Sequence, residues 1–444
     1  MKQGSFLLPT DSGNISVTDL TFKPSGVFLW TNGSTAYTGT AHARIGMGAF
    51  DSNGNQYSIG TQDGDNLADT TANRMYKNDS SLLLLTNSTS GVITIDLTFV
   101  STSTSGFTLN TKTKVTNAIC GYMAFGGTDI DNFTVSGFTI TSGTASTNVS
   151  VGHPLTSLIL YSAFSESNTE IYEINKEVAI GFSDGTNQAC FGTYSKGEVA
   201  TSSTSKYQSL THVLKRNVIG GGAGIDGSST VAFTTSGFIL THDDTYSRSF
   251  FTPFIAINGP SCNVSGYLMP SGTGDISVAT VPFKPSGLLN GSVYSELGLG
   301  HTYESDSVEA YLSLGGSTGT TNTNNWGIGY ISENNLSTTD TNRSTGKNIF
   351  QRQTDSSTVT ASGIVKSFNA NGFTITKTLA TNTTSNHHFF IAFGDKAVST
   401  IAYPKINISN AWRSVTAASV NIGSAWRSIN ISSVDISNTW RTVI

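Results

Sequence analysis

The sequence predicts an all-β chain of three tandem β-sandwich, jelly-roll-like domains, followed by a short C-terminal β-hairpin repeat. Three observations predict it. A motif recurs along the chain at a domain-sized spacing. Apolar residues alternate within each copy, between turn-forming clusters. The tail carries a separate period of 14 residues.

The recurring motif is clearest where Ile15-Ser-Val-Thr-Asp-Leu-Thr-Phe-Lys-Pro-Ser-Gly26 is matched by Ile276-Ser-Val-Ala-Thr-Val-Pro-Phe-Lys-Pro-Ser-Gly287, with Pro9 and Pro270 equally placed before them. The offset of 261 residues implies two units of about 130. A middle copy then belongs near residue 135, where Val135-Ser-Gly-Phe-Thr-Ile-Thr-Ser-Gly-Thr144 mirrors Val264-Ser-Gly-Tyr-Leu-Met-Pro-Ser-Gly-Thr273. It continues into Val149-Ser-Val151, read against Ile-Ser-Val in the other copies, and lacks the Phe-Lys-Pro-Ser-Gly element. Ile45-Gly46-Met47-Gly48, Ile180-Gly181 and Leu297-Gly298-Leu299-Gly300 mark the middle of the copies. Gly-Phe-x-apolar segments at 106–109, 237–240 and 372–375 precede Tyr122-Met-Ala-Phe-Gly126, Phe254-Ile-Ala-Ile-Asn258 and Phe390-Ile-Ala-Phe-Gly394. The expected domains are 1–133, 134–262 and 263–402, with the hairpin repeats at 403–444.

Within a copy, segments such as Ile93-Thr-Ile-Asp-Leu-Thr-Phe99 place apolar residues two apart, the spacing of a half-buried strand. Ser, Gly, Asn and Thr clusters cut these runs. Asp51-Ser-Asn-Gly-Asn55 and Asn371-Gly372 put Gly after Asn, as a tight hairpin turn requires. The nearest approach to a helical stripe, Ile171 to Ile180, is short and rich in β-branched residues, so very little helix is expected. Many short strands in units of this size point to a sandwich or jelly roll.

In the tail, Ile406-Asn-Ile-Ser-Asn-Ala-Trp-Arg-Ser-Val415, Val420-Asn-Ile-Gly-Ser-Ala-Trp-Arg-Ser-Ile429 and Val434-Asp-Ile-Ser-Asn-Thr-Trp-Arg-Thr-Val443 each read as a small hairpin. One hairpin cannot bury its own tryptophan. Trp412, Arg413, Trp426, Arg427, Trp440 and Arg441 are therefore candidates for an anchoring or oligomerisation surface, since Trp and Arg are enriched at interfaces. A self-contained cap on the third domain fits the same residues.

Composition excludes several classes. Charged residues make up 12 % of the chain, against about 25 % in an average soluble domain, so the surface is polar through hydroxyls and amides. A net charge of −5 without a basic run is not the footprint of a nucleic-acid binder. No apolar stretch is long enough for membrane insertion, and the first residues do not form a secretory signal. Cys120, Cys190 and Cys262 are odd in number and far apart, as expected of small fillers inside strands. The histidines show no metal-ligand spacing, and His387-His388 would point to opposite faces of a strand. Asp51, Asn53 and Asn55 imitate a calcium loop, but Gln62 stands where a bidentate Glu belongs, so a hairpin turn is the better reading. His242-Asp243-Asp244 is the most ligand-like cluster and occurs in one copy alone. Gly220-Gly-Gly-Ala-Gly224 lacks the Lys-Ser/Thr of a phosphate loop and reads as a connection. No Gly-x-Ser-x-Gly elbow or repeated carboxylate pair occurs, so neither catalysis nor a metal or other cofactor is expected. Tyr57, Tyr194, Tyr246 and Trp326, read as belonging to exposed turns, are the candidates for stacking on sugars.

The tail units resemble the short Trp-Lys or Trp-Arg repeats that close many tailed-bacteriophage virion proteins, a likeness that runs from Ile406 to Ile444. The Phe-Lys-Pro start and the Gly-Phe-x-apolar…Ala-Phe-Gly ending of the copies are similar to phage tail and fibre modules of a sandwich type akin to H-type lectins. The middle copy departs from this by lacking the first element. The resemblance implies a virion structural protein, a tail fibre, tail knob or head fibre, made in the host cytoplasm. Its partners would be other virion proteins, itself as a homo-oligomer such as a trimer, and a host-surface glycan or protein. Two other classes stay open on the residues alone: a virion-associated carbohydrate-active enzyme, which needs a cleft with facing carboxylates, and a bacterial surface adhesin, which needs an anchor or export signal.

Overall fold

The computed structural model describes residues 1–37, 39–68, 70–86, 92–166, 173–218, 224–294, 309–319, 324–354, 358–381 and 385–396, then short strands between 405 and 442. All its sheets are antiparallel, and no α-helix occurs among the described residues. Two compact units result, Met1–Lys396 and Ala397–Ile444.

Each repeat in the first unit is a sandwich of a large and a small sheet. In the first repeat the large sheet runs Lys2–Leu7, Ile119–Gly126, Pro24–Thr31, Ala43–Asp51, Gln56–Asp63, Asn73–Lys77, and the small one Gly13–Val17, Gly106–Thr113, Ile93–Ser103, Leu82–Leu85. In the second the orders are Asn132–Ile140, Phe250–Asn258, Ser157–Ser162, Lys176–Ser183, Gln188–Ser195, Thr204–Ser209 and Ser146–Ser150, Gly237–Asp244, Gly224–Thr234, Leu214–Val218. In the third they are Pro260–Met269, Asn386–Lys396, Pro285–Ser292, Ala310–Ser317, Asn325–Ser332, Thr341–Gly346 and Gly274–Val278, Gly372–Ala380, Val359–Asn369, Phe350–Gln353. Counted in chain order within a repeat, and leaving aside the two-residue strands Thr40–Ala41 and Glu173–Ile174, the strands are ordered 1-10-3-4-5-6 and 2-9-8-7 in all three. The second and third repeats open with Asn132 and Pro260, a few residues before positions 134 and 263.

Pairing registers define equivalent residues. Phe107, Phe238 and Phe373 face Val17, Val149 and Val278, so Val149 matches Val17. The sequence comparison, which set Val149 against Ile15, was out by two residues, one full period of a strand that leaves the facing pattern unchanged. In the fourth strand, Gly48, Gly181 and Gly315 are equivalent, each approached by a carbonyl of the chain that leads into the seventh strand. The third mid-repeat landmark is therefore Leu314-Gly315; residues 297–300 lie outside the described residues.

The large sheets are buried on both faces, which explains their nearly unbroken apolar runs. Val27, Leu29, Cys120, Tyr122 and Ala124 face the interior of the first sandwich. Phe28, Trp30, Ile119, Met123 and Phe125, which alternate with them, face a second core built by all three repeats. There Trp30 meets Trp326 at 5.7 Å between ring centroids, Phe28 meets Tyr161 at 5.6 Å, Phe125 meets Phe393 at 5.2 Å, and Phe191 stacks on Phe389 at 6.2 Å. Burying a large apolar side chain contributes roughly 1.5–3 kcal/mol, so this shared core binds the repeats strongly. Its closeness shows at Gly121, where a Cβ would stand 2.1 Å from the Trp326 ring.

The second unit consists of three hairpins, Lys405–Ile408 with Ala411–Ser414, Ser419–Ile422 with Ala425–Ser428, and Ser433–Ile436 with Thr439–Thr442. Each sets Trp412, Trp426 or Trp440 opposite Asn407, Asn421 or Asp435. The side chains of these tryptophans, and of Arg413, Arg427 and Arg441, lie outside the described residues.

Candidate functional site

The three repeats close into a ring about a pseudo-threefold axis, and the same two clasps occur at successive junctions. At one end, where Met1, Lys396 and the connections between repeats lie, the turn after the fourth strand caps the first strand of the next repeat. Asp51 Oδ2 accepts the Val135 N–H at 3.3 Å, Asp184 Oδ2 accepts the Val264 N–H at 2.8 Å, and Thr318 Oγ1 accepts the Gln3 N–H at 2.8 Å. The last of these joins the third repeat back to the first. The Asp51 carboxylate also accepts the Asn53 and Asn55 N–H groups, the side-chain-to-backbone bonding of an Asx turn within the expected hairpin.

At the opposite end, the loops between the fifth and sixth strands hold one another in pairs. Asn66 N–H donates to Thr339 O and Thr339 N–H to Leu67 O. Glu198 with Thr70 and Val199, and Asn335 with Ser202 and Leu336, repeat the exchange at the other two junctions. Asn66, Glu198 and Asn335 all have left-handed backbone, at φ 58, 56 and 61°. This conformation is uncommon outside glycine, and the reciprocal hydrogen bonds hold it. The exposed Asn66, Glu198 and Asn335 and the half-buried Leu67, Val199 and Leu336 thus gather around the axis, at the end away from both termini of this unit. This rim is the candidate contact surface. Sequence reasoning missed it, although Asn66-Leu67-x-x-Thr70, Glu198-Val199-x-x-Ser202 and Asn335-Leu336-x-x-Thr339 recur in step.

Beneath the rim, the fifth strands contribute matched layers. Ile59, Phe191 and Ile328 are buried in the shared core, and Thr61, Thr193 and Tyr330 follow. Asp63, Ser195 and Ser332 then form a buried polar layer. The Ser332 and Ser195 hydroxyls lie beside the Asp63 carboxylate, whose pKa burial raises against the nearby Lys176 charge. Lys176 donates to Ser332 Oγ at 3.2 Å and sits 3.5 Å above the Tyr330 ring. Burial brings its pKa down to about 7, with Asp63 opposing the shift. Asp63 and Lys176 thus share a buried polar layer, and Lys176 ties it to the third repeat.

A second ionic cluster spans the junction of the first two repeats. Glu177 Oε1 lies 2.9 Å from Arg74 Nη1, and Glu177 Oε2 lies 2.8 Å from Arg216 Nε. Glu173 adds a bond to Arg74 and Asp226 one to Arg216, each at 2.7–2.8 Å. Burial disfavours the Arg216 charge, and the Glu177 and Asp226 carboxylates more than offset that, so its pKa rises. The edge also gains a strand, because Glu173–Ile174 pairs with Asn73–Lys77, just as Thr40–Ala41 of the first repeat pairs with Thr341–Gly346 of the third.

The aromatic residues expected to stack on sugars do not form an exposed platform. Tyr194, Tyr246 and Trp326 are buried. Tyr194 lies beside the Glu177–Arg74 cluster, Tyr246 OH bonds Ser229 Oγ at 2.8 Å, and Trp326 packs on Trp30. Tyr57 is half-buried and stacks on Tyr76 and Phe251. The polar residues around them suggested turns, but the strands carrying Tyr57, Tyr194 and Trp326 turn their second face into the shared core or a junction. His242 is buried against Ser229 and Thr147, and Asp243 faces His212 at 3.2 Å. No group of three or more His, Cys, Asp or Glu side chains among the described residues is placed to hold a metal ion. His387 and His388 are both buried, and Cys120, Cys190 and Cys262 are free thiols, the first two buried. Residues 220–223 of the glycine-rich run lie outside the described residues.

No protein-family model and no curated protein sequence matches this chain.

Proposed function

We propose that the chain is a structural component of a bacteriophage virion, a tail or head fibre or knob protein. In this reading the ring of sandwiches presents its rim loops to a host-surface glycan or protein, and the Trp-Arg hairpins bind other virion proteins or further copies of the chain. The observation that carries it is the closed ring of three sandwiches, with loops gathered at the end away from Met1 and Lys396. This arrangement supports presentation of a surface over catalysis: Asp63 and Lys176 along the axis are buried, Lys176 donates to Ser332 of the third repeat, and Glu177 pairs with Arg74 across the first junction. A threefold arrangement, which fibres commonly obtain from separate chains, is present here within one chain.

Electron microscopy of particles from the native source, with an antibody against residues 1–396, tests the reading. Label on the particle surface is expected. Particles made with residues 406–444 deleted should lack the protein or fail to attach, while the deleted chain stays folded. Unlabelled particles, or a deletion that still assembles and attaches normally, would overturn the proposal.

A further inference from the structure

Ladder positions match the three junctions residue by residue. Arg74, Lys206 and Arg343 are equivalent on the sixth strands, opposite Thr61, Thr193 and Tyr330. Arg44, Glu177 and Tyr311 are equivalent on the fourth strands, each four residues before the glycine that a carbonyl approaches, Gly48, Gly181 or Gly315. Those carbonyls belong to Ser81, Val213 and Ile349. Three residues beyond them, on the seventh strands, Leu84, Arg216 and Arg352 are equivalent in turn. Gly33, Phe164 and Tyr294 form a fourth set just after the third strands. All three have left-handed backbone, and the hydroxyls of Thr31, Ser162 and Ser292 accept their N–H groups at 2.9–3.0 Å.

In the second and third repeats the last two sets meet in the same way. The Arg216 guanidinium lies over the Phe164 ring at 5.6 Å, and the Arg352 guanidinium over the Tyr294 ring at 5.8 Å. What else the cation meets differs. Glu177 accepts from Arg216 Nε at 2.8 Å and Nη2 at 3.1 Å, and Asp226 accepts from Nη1 at 2.7 Å. In the third repeat the Glu177 position is Tyr311, whose ring stands 4.8 Å from the Arg352 guanidinium. The Asp226 position, the residue bulged out opposite the arginine, is Thr360. Glu309 is exposed and hydrogen-bonds the Tyr311 hydroxyl, and among the described residues Arg352 ion-pairs with no carboxylate. Arg352 is half-buried, while Tyr294 and Tyr311 are buried beneath it. Lys206 of the second repeat brings further positive charge, for its Nζ donates to the Tyr294 carbonyl at 3.3 Å and stands 5.3 Å from the Tyr311 ring. The place is at the rim end of the sandwich, since Tyr311 lies opposite Ile331, next to the Ser332 layer beneath the rim loops.

We propose that this site binds the carboxylate of an acidic sugar, a uronic or sialic acid, with Arg352 as the cation that receives it and Tyr294 and Tyr311 as the rings that hold Arg352 in place. The proposal rests on the glycan reading above and names the class of glycan. The second repeat shows what an arginine on this ring takes, both oxygens of one carboxylate. An arginine fork fits a carboxylate with two N–H bonds, and partial burial strengthens the pair by lowering the local dielectric. Stacking on two rings orients the guanidinium in advance, so less freedom is lost when the ligand arrives. The first repeat has Leu84 and Gly33 at these positions and offers no cation, and the second spends its cation on Glu177 and Asp226. Of the three repeats, the third alone presents a cation to an outside acid.

The test uses the full chain and the sugars alone. Saturation-transfer NMR with N-acetylneuraminate, and separately with glucuronate, should show saturable binding of at least one of them that weakens as salt is raised, while glucose shows none. Arg352→Gln should weaken the binding at least about tenfold. Tyr311→Glu sets a carboxylate where Glu177 stands in the second repeat and should abolish it. If Arg352→Gln does not fold, Arg352→Lys, which keeps a cation over the rings without the fork, replaces it and should also lower the affinity. Absence of saturable binding by both acids overturns the proposal, as does equal binding of glucose, or binding unchanged in the Arg352 variant or in Tyr311→Glu. Because these readouts use isolated protein, acids that fail to bind count against this site alone, and particles left unlabelled by the antibody count against the virion reading alone.

Discussion

Glu177 is the side chain whose loss should most directly open a junction. Its carboxylate bridges Arg74 of the first repeat and Arg216 of its own, at 2.9 and 2.8 Å, with a further Arg216 Nη2 bond at 3.1 Å, and all three side chains are buried. Glu177→Gln removes the charge and turns an amide N–H toward one guanidinium. Breaking a buried pair by removing one partner costs about 3–5 kcal/mol. Glu173 remains on Arg74 and Asp226 on Arg216, so the loss should fall at the low end, about 3 kcal/mol. Chemical denaturation of the full chain reads this as a lower midpoint at an unchanged slope. A Glu177→Gln loss below about 1 kcal/mol would place the pair among solvent-screened surface bridges and refute the reasoning.

Three further outcomes follow from the packing. The first 396 residues share a core, so calorimetry should show one cooperative transition for that unit; three separate transitions would mean that the repeats fold independently. His388 is fully buried between Tyr267, Tyr294 and Phe350, and burial lowers its pKa to about 3. A depressed histidine pKa leaves its stability in place above about pH 6.5 and removes it as pH falls toward 3, so at pH 5 the loss is about 2 kcal/mol. Denaturation midpoints across that range should flatten in His388→Gln, and an equal slope in both proteins would exclude His388 as its source. Gly181→Ala puts a Cβ 1.8 Å from the Val213 carbonyl oxygen and should cost at least about 2 kcal/mol. Gly143→Ala meets open space and only a left-handed φ of 71°, so roughly 1–2 kcal/mol is expected there, and equal losses would contradict the close approach at Gly181.

The sandwich class and the tail hairpins were legible because two-residue alternation and a repeated motif are local properties of the chain. The Asp51 turn was legible for the same reason. What escaped was the second face of the large sheets. Trp326 and Tyr194 sit among Asn, Gly and Thr, as loop residues often do, and their burial follows only once another repeat covers them. The ionic junctions were equally hidden, since Arg74 and Glu177 lie far apart in sequence and the central residue changes from Glu177 to Tyr311 to Arg44. The basic residue itself recurs, as Arg74, Lys206 and Arg343, and a comparison of the copies position by position would have found it.

Holding all three repeats in one chain frees them from the constraint of identity. A ring of three identical subunits changes every junction when one codon changes, and a charge such as Asp63 would meet two copies of itself on the axis. Here Asp63 meets Ser195, Ser332 and Lys176 instead. The rim can likewise be Asn-Leu, Glu-Val and Asn-Leu in turn, so a single molecule can make one of its three faces unlike the other two without disturbing them.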